Sequence, residues 1–261
     1  MNAPTLPRLA ALTSPTLGAL LRGGPVVALL PVGSVEPHGP HLPLGTDTVL
    51  SEAAAEAAVA ALRARGVEPV LAPSVPFGVT DFARGFPGAA GVTPEALTAY
   101  VRAVAEGLLS AGFAQVCVIN NHLEPAHDGA LRAVLEAFPG GRVTVACPLT
   151  RRWARTLTEE FKRGECHAGR YETSLLLAAA PDTVDRAAQE ALPRVPVSLS
   201  EGIRAGLGTF LAMGMHRAYA GSPAEATQAE GEESLARLGE MVATEVLEGL
   251  ARCGVLQPGI T

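Results

Sequence analysis

No uninterrupted apolar run in the 261-residue chain reaches the roughly 18 residues that a membrane helix needs, which excludes a spanning segment. The first 24 residues also lack the basic start, solid apolar stretch and cleavage site of a secretory signal. Excess positive charge is missing too. The formal net charge is −6 and the pI about 5.6, so no clustered Lys and Arg surface awaits nucleic acid or an anionic membrane. The four Cys (Cys117, Cys147, Cys166, Cys253) form no CxxC pair, and two sit inside apolar runs as small hydrophobes. A reduced, cytoplasmic protein is expected. Neither GxGxxG nor GxxxxGK[ST] occurs, so there is no nucleotide fingerprint. Gly and Pro are numerous but show no period of three, and no repeat of 20–50 residues is present. Aromatic residues amount to only 4%.

What remains is 48% apolar and 18% charged, too hydrophobic for a disordered chain and long enough for a real core. Four short β-branched runs read as buried strands: residues 25–31, 67–72, 115–120 and 142–147. Helical stretches follow them at 46–65, 93–111 and 125–138. In the second, Thr93 is the expected N-cap, Pro94 opens the helix and Gly112 stops it. Further helices are expected at 151–162, 171–179 and 223–251, while 182–215 is too rich in Pro, Gly and Ser to assign. The alternation predicts a single α/β domain over 1–261, a mostly parallel sheet flanked by helices.

Polar residues that metals favour gather at three places. Glu36, His38, His41 and Asp47 lie in a Gly- and Pro-studded loop after the first strand. His122 and Glu124 follow the third strand. His167 and Glu172 stand at the entry to a helix. Ligands of open α/β sheets bind outside the carboxyl ends of the strands, where the first two groups fall. Any one of these histidines could simply hydrogen-bond a backbone carbonyl. Taken together with the carboxylates, they point to a divalent-metal site of mixed N/O donors without thiolate.

The run Gly33-Ser34-Val35-Glu36-Pro37-His38-Gly39-Pro40-His41-Leu42-Pro43-Leu44-Gly45-Thr46-Asp47 closely resembles the first signature of the creatininase (creatinine amidohydrolase) family. Phe86-Pro87-Gly88, His122 after an Asn, His167-Ala168-Gly169 with Glu172-Thr173-Ser174, and the stretch from Gly221 to Thr227 fall in the family's order. The resemblance implies an α/β fold, two divalent ions (zinc and/or manganese, with iron accepted by some members) and a homo-oligomer, commonly a hexamer. It implies hydrolysis of a small-molecule C–N amide by a hydroxide bridging the two metals. Glu36 and His122 would bind one ion, His38 the other, and Asp47 would bridge them. Glu124 falls on a metal-binding Glu of creatininase, and His167 on the proposed proton-transfer His. Glu172 would act at the site either as a ligand or behind the ligands.

The chain departs from creatininase at Leu123, where that enzyme has a Tyr facing substrate, and no Trp precedes His167. Trp153 lies near a lid Trp, offset by a few residues. A more apolar amide than creatinine is therefore expected. Alternatives are a precursor-peptide peptidase or a deformylase of the same family, or a metal-binding module without turnover. A proton-transfer His and the absence of Cys ligands favour an enzyme. His41 is expected to make a structural hydrogen bond. His127 and His216 are expected on the solvated surface, with a pocket role as the alternative. Cys166 beside His167 is a weaker candidate nucleophile, and the acidic run 225–240 reads as a solvated helix face.

Overall fold

The structure, a computed structural model, describes residues 5–257. Met1–Pro4, at the start of the segment read for targeting, lie outside them. Four parallel strands, β1 (Val26–Val32), β2 (Glu68–Leu71), β3 (Gln115–Asn120) and β4 (Val143–Ala146), form one sheet in the order β2-β1-β3-β4. β1 and β3 are central, and β3 pairs with β1 from Val27↔Gln115 to Val32↔Asn120. Both are buried along their whole length, as expected of strands covered on two faces.

Alternate residues of β1 enter different cores. Val27 and Leu29 pack with α2 (Thr46–Arg63), α7 (Arg170–Ala179) and α10 (Gln228–Arg252). Val26, Ala28, Leu30 and Val32 pack with α3 (Pro94–Ser110) and α4 (Pro125–Val134). The period of two along the strand thus makes an α/β/α sandwich. A third, smaller core of Ala83, Phe210, Met213, Met215, Ala218 and Ala220 lies among the loops. Among the described residues, no helix is long and apolar enough to cross a membrane.

The expected strands and the helices over 46–65 and 93–111 match the structure to within two residues. Thr93 caps α3 through its side chain, which accepts the Ala96 amide. Four helices differ. The stretch 151–162 is split into α5 (Arg151–Ala154) and α6 (Glu159–Arg163), because the Thr158 hydroxyl accepts the Phe161 amide and starts a new helix. The long C-terminal helix begins at Gln228 and not at Pro223. Thr227 caps it by accepting the Glu230 amide, and Pro223–Glu225 is a separate 3-10 turn. α4 ends at Val134, and Leu135–Ala137 tightens into 3-10 geometry. The N-terminal α1 (Ser14–Gly23) was not expected; Thr13 caps it and Pro15 sits in its first turn. The segment left unassigned carries α8 (Arg186–Glu190) and α9 (Leu199–Arg204).

Candidate metal centre

The loop after β1 delivers Glu36 and His38, and it ends where α2 begins, with Asp47 in the helix's first turn. The short loop after β3 delivers His122, whose amide is held by the Asn120 side chain at 2.9 Å. The Ser51 hydroxyl of α2 donates to the Val32 carbonyl (2.9 Å) and accepts the Asn121 amide (3.1 Å), tying both strand ends to α2. His167 comes from the loop before α7, and Glu172 from its first turn. Ala168 between them adopts a left-handed φ of 48°, which lets its amide donate to Glu172 Oε2 at 2.6 Å.

All these side chains are buried. Each histidine donates one N–H to a backbone carbonyl and turns its other nitrogen inward. His38 Nδ1 donates to Glu36 O (3.0 Å), His122 Nε2 to Val79 O (2.6 Å) and His167 Nε2 to Pro37 O (3.0 Å). The inward atoms meet the carboxylates: His38 Nε2 lies 3.1 Å from Asp47 Oδ1 and 3.7 Å from Glu172 Oε2. His122 Nδ1 lies 3.0 Å from Asp47 Oδ2 and 3.2 Å from Glu36 Oε1. Three overlapping sets of donor atoms, each set within 4.8 Å, could hold an ion: Glu36–Asp47–His122, His38–Asp47–Glu172 and Glu36–His38–His167. The first two share Asp47.

The electrostatics are those of a crowded buried cluster. Burial pulls His38 down, but Asp47, with Glu172 and Glu36, outweighs it and raises the imidazole to about 10. Burial likewise opposes His122, yet Glu36 and Asp47 hold it well above its ordinary value. Asp47 is depressed despite burial, because His38 and His122 flank it. His167, by contrast, is lowered to about 4 by burial and by His38. Burial raises Glu172 to about 8 against the pull of His38.

Glu124 lines the same cavity but belongs to none of the three donor sets. Its oxygens accept the amides of Asp81 (3.1 Å) and Phe82 (3.2 Å), so it clasps the loop of residues 79–85. Burial raises it to about 7. The cavity, about 30 Å³, is walled by Phe82, Leu123, Leu199 and Phe210. Phe210 tilts over the His167 ring at 4.3 Å between centroids and meets Phe82 edge to face at 6.1 Å. The 79–85 loop and the unassigned 182–215 segment thus each contribute an aromatic wall residue that sequence patterning did not announce.

His41 makes the expected structural bond, Nε2 to Thr173 Oγ1 at 2.8 Å, and His216 is exposed. His127 is not on the surface: it is fully buried against His122. The available signal was its place in the series 127, 130, 131, 134, the buried stripe of α4. Cys166 is buried, and burial pushes its thiol up, which disfavours the thiolate that a nucleophile needs. Trp153 is a core residue donating to Glu245 at 3.1 Å, away from the cavity. In the acidic run, Glu225, Glu232, Glu233 and Glu240 are exposed as expected.

A family model described as creatininase, creatinine amidohydrolase, matches residues 10–246. The chain belongs to the creatininase family. This creatininase-family amidohydrolase, a hydrolase of C–N amide bonds, is 33% identical over 242 residues to the mycofactocin precursor peptide peptidase of Mycobacterium tuberculosis, covering 89% of each chain. It is 25% identical over 185 residues to the creatinine amidohydrolase of Pseudomonas putida, covering 64% of this chain and 69% of that one. The crystal structure of a creatinine amidohydrolase (creatininase) superposes with a TM-score of 0.68 at 22% identity, covering 94% of this chain and 98% of that one. Solved creatininases include an Mn form and a Zn–Zn form.

Proposed function

We propose that the protein hydrolyses an amide with the help of two divalent cations, zinc and/or manganese, with iron also compatible with the donors. Glu36, Asp47 and His122 would hold one, and His38, Asp47 and Glu172 the other. The observation that carries this reading is Asp47: its two oxygens face different histidines, and Oδ2 is buried with no hydrogen-bond partner. A buried carboxylate oxygen without a partner is costly, and a cation shared between N and O donors satisfies it. The Mn and Zn–Zn forms of solved creatininases support the choice of ions. When bound, such ions lower the pKa of water and polarise the amide carbonyl.

The chain's own residues do the rest. His167 keeps its Nε2 proton on Pro37 and offers Nδ1 to the site, 3.7 Å from Glu36 Oε1. Nδ1 takes a proton from the attacking water and returns it to the departing nitrogen, which cannot leave as an anion. Phe210 packs on the ring and fixes its plane. Glu124 holds the 79–85 loop across the mouth, and it can join the Glu36–His122 position only by releasing two amides. A cavity of about 30 Å³ admits roughly one water, so the loops bearing Phe82 and Phe210 part to receive substrate.

The apolar wall fits an amide with an apolar flank. A small-molecule amide is the first reading. A precursor peptide is the second, favoured by the 33% identity to the mycofactocin peptidase against 25% to a creatinine amidohydrolase. A deformylase has no such observation in its favour. A homo-oligomer, hexameric as in the family, working in the cytoplasm without nucleic acid or membrane completes the reading. Metal-loaded protein should cleave amides with apolar flanks in a panel of creatinine, formamides and short peptides. No hydrolysis of any member, with both ions in place, would contradict it.

A further inference from the structure

His127 lies in the first turn of α4, fully buried, and the metal reading gives it no part. Its Nδ1 accepts the Val79 amide at 3.2 Å. The carbonyl of the same Val79 accepts Nε2–H of His122 at 2.6 Å. The two imidazoles meet edge to face, 4.7 Å between centroids at 84°. Val79 is therefore gripped by one histidine at its N–H and by the other at its C=O. Gly78 makes room for this: a Cβ there would lie 2.5 Å from the His127 ring and 2.7 Å from the Gly33 carbonyl.

The arrangement bears on His122. Only with its proton on Nε2 does His122 present a lone pair at Nδ1, the atom facing Glu36 and Asp47. The Val79 carbonyl selects that tautomer. Val79 itself belongs to no helix or strand, so no sheet ladder or helical turn places its carbonyl. A residue selected at position 127 for packing alone would be apolar, like Ala130, Leu131 and Val134 beside it. His127 instead leaves Nε2 buried without a partner. That cost is explained if the ring is kept for its other nitrogen.

We infer that His127 is a positioning residue that, through Val79, holds His122 in the tautomer and orientation presenting Nδ1 to the ion between Glu36 and Asp47. The inference rests on His122 being a metal ligand, as proposed above. Groups behind a ligand commonly change metal affinity by about 10–100-fold.

The test compares His127→Asn, whose amide oxygen can replace Nδ1, with His127→Gln, whose oxygen reaches the Nε2 position instead. Metal-free full-length proteins are titrated with Mn²⁺, and the free ion is read by electron paramagnetic resonance. Thermal unfolding of each metal-free protein is measured alongside. The Gln variant should bind the first ion at least about 10-fold more weakly, and the Asn variant should stay close to wild type. If Gln prevents folding, His127→Ala takes its place. A purely structural role would lower the melting temperatures and leave Mn²⁺ affinity unchanged in the folded variants. That result, or equal weakening by Asn and Gln, overturns the inference. His122→Ala separates the two levels: loss of an ion upholds the ligand reading on its own, whereas full Mn²⁺ content overturns both.

Discussion

His122 Nδ1 approaches Asp47 Oδ2 to 3.0 Å, yet Oδ2 has no hydrogen-bond partner. Two buried groups turned toward one space, each held by neighbours on its other side, are the arrangement behind the proposed cation site. The same carboxylate faces His38 through Oδ1. On that proposal the chemistry lies at the carboxyl ends of β1 and β3, where their loops diverge over the sheet.

Removing the proton carrier should separate chemistry from metal binding. His167→Ala should lower kcat by about 10²–10⁴-fold while elemental analysis finds wild-type metal content. Loss of an ion in this variant would make His167 a ligand, as the third donor set allows.

Creatinine should be a poor substrate. Leu123 offers no hydroxyl and no Trp precedes His167, so a planar polar ring forgoes a hydrogen bond and a stacking face. At about 1 kcal/mol each, these predict roughly 30-fold weaker binding than in a creatininase. Steady-state kinetics on creatinine would refute this by matching an authentic creatininase.

The crossing of α7 and α10 depends on Gly231, where a Cβ would lie 1.8 Å from the Ser174 carbonyl oxygen. Gly231→Ala has to push the helices apart and move Glu172 with α7. A stability loss of about 1–3 kcal/mol in denaturant unfolding is expected, together with weaker metal binding. Unchanged stability would show that the helices can shift freely.

Glu160 provides a pH signature outside the proposed donor sets. It accepts the amides of Tyr171 (2.9 Å) and Ser222 (2.8 Å), and burial raises it from 4.5 to about 6. The folded state then holds its proton more tightly than the unfolded chain. The stability it contributes is present below pH 4.5 and lost as pH rises through about 6, some 2 kcal/mol at most. Glu160→Gln should remove this component, so the difference between wild-type and variant stability should change across that window. A constant difference from pH 4 to 7 would refute it.

Much of this was legible because the strands are continuous β-branched runs and because Glu36, His38, Asp47 and His122 sit next to them. The length of α3 followed from its cap at Thr93 and its stop at Gly112. The rest is tertiary. Phe82 and Phe210 come from loops without periodicity, brought together by the hydrogen bond from the Phe210 amide to the Phe82 carbonyl at 2.7 Å. Glu124 lies two residues from His122, but no spacing shows that its oxygens hold the amides of Asp81 and Phe82. His127 is buried and not solvated because it falls on the apolar stripe of α4, although a histidine in the first turn of a helix resembles a surface residue.

The most direct measurement is the metal content of Asp47→Ala beside His38→Ala, each purified after loading with Mn²⁺ or Zn²⁺ and analysed for ions per chain. Two ions in wild type, essentially none in Asp47→Ala and about one in His38→Ala would follow from a carboxylate shared by both positions. Full metal content in folded Asp47→Ala protein would contradict it.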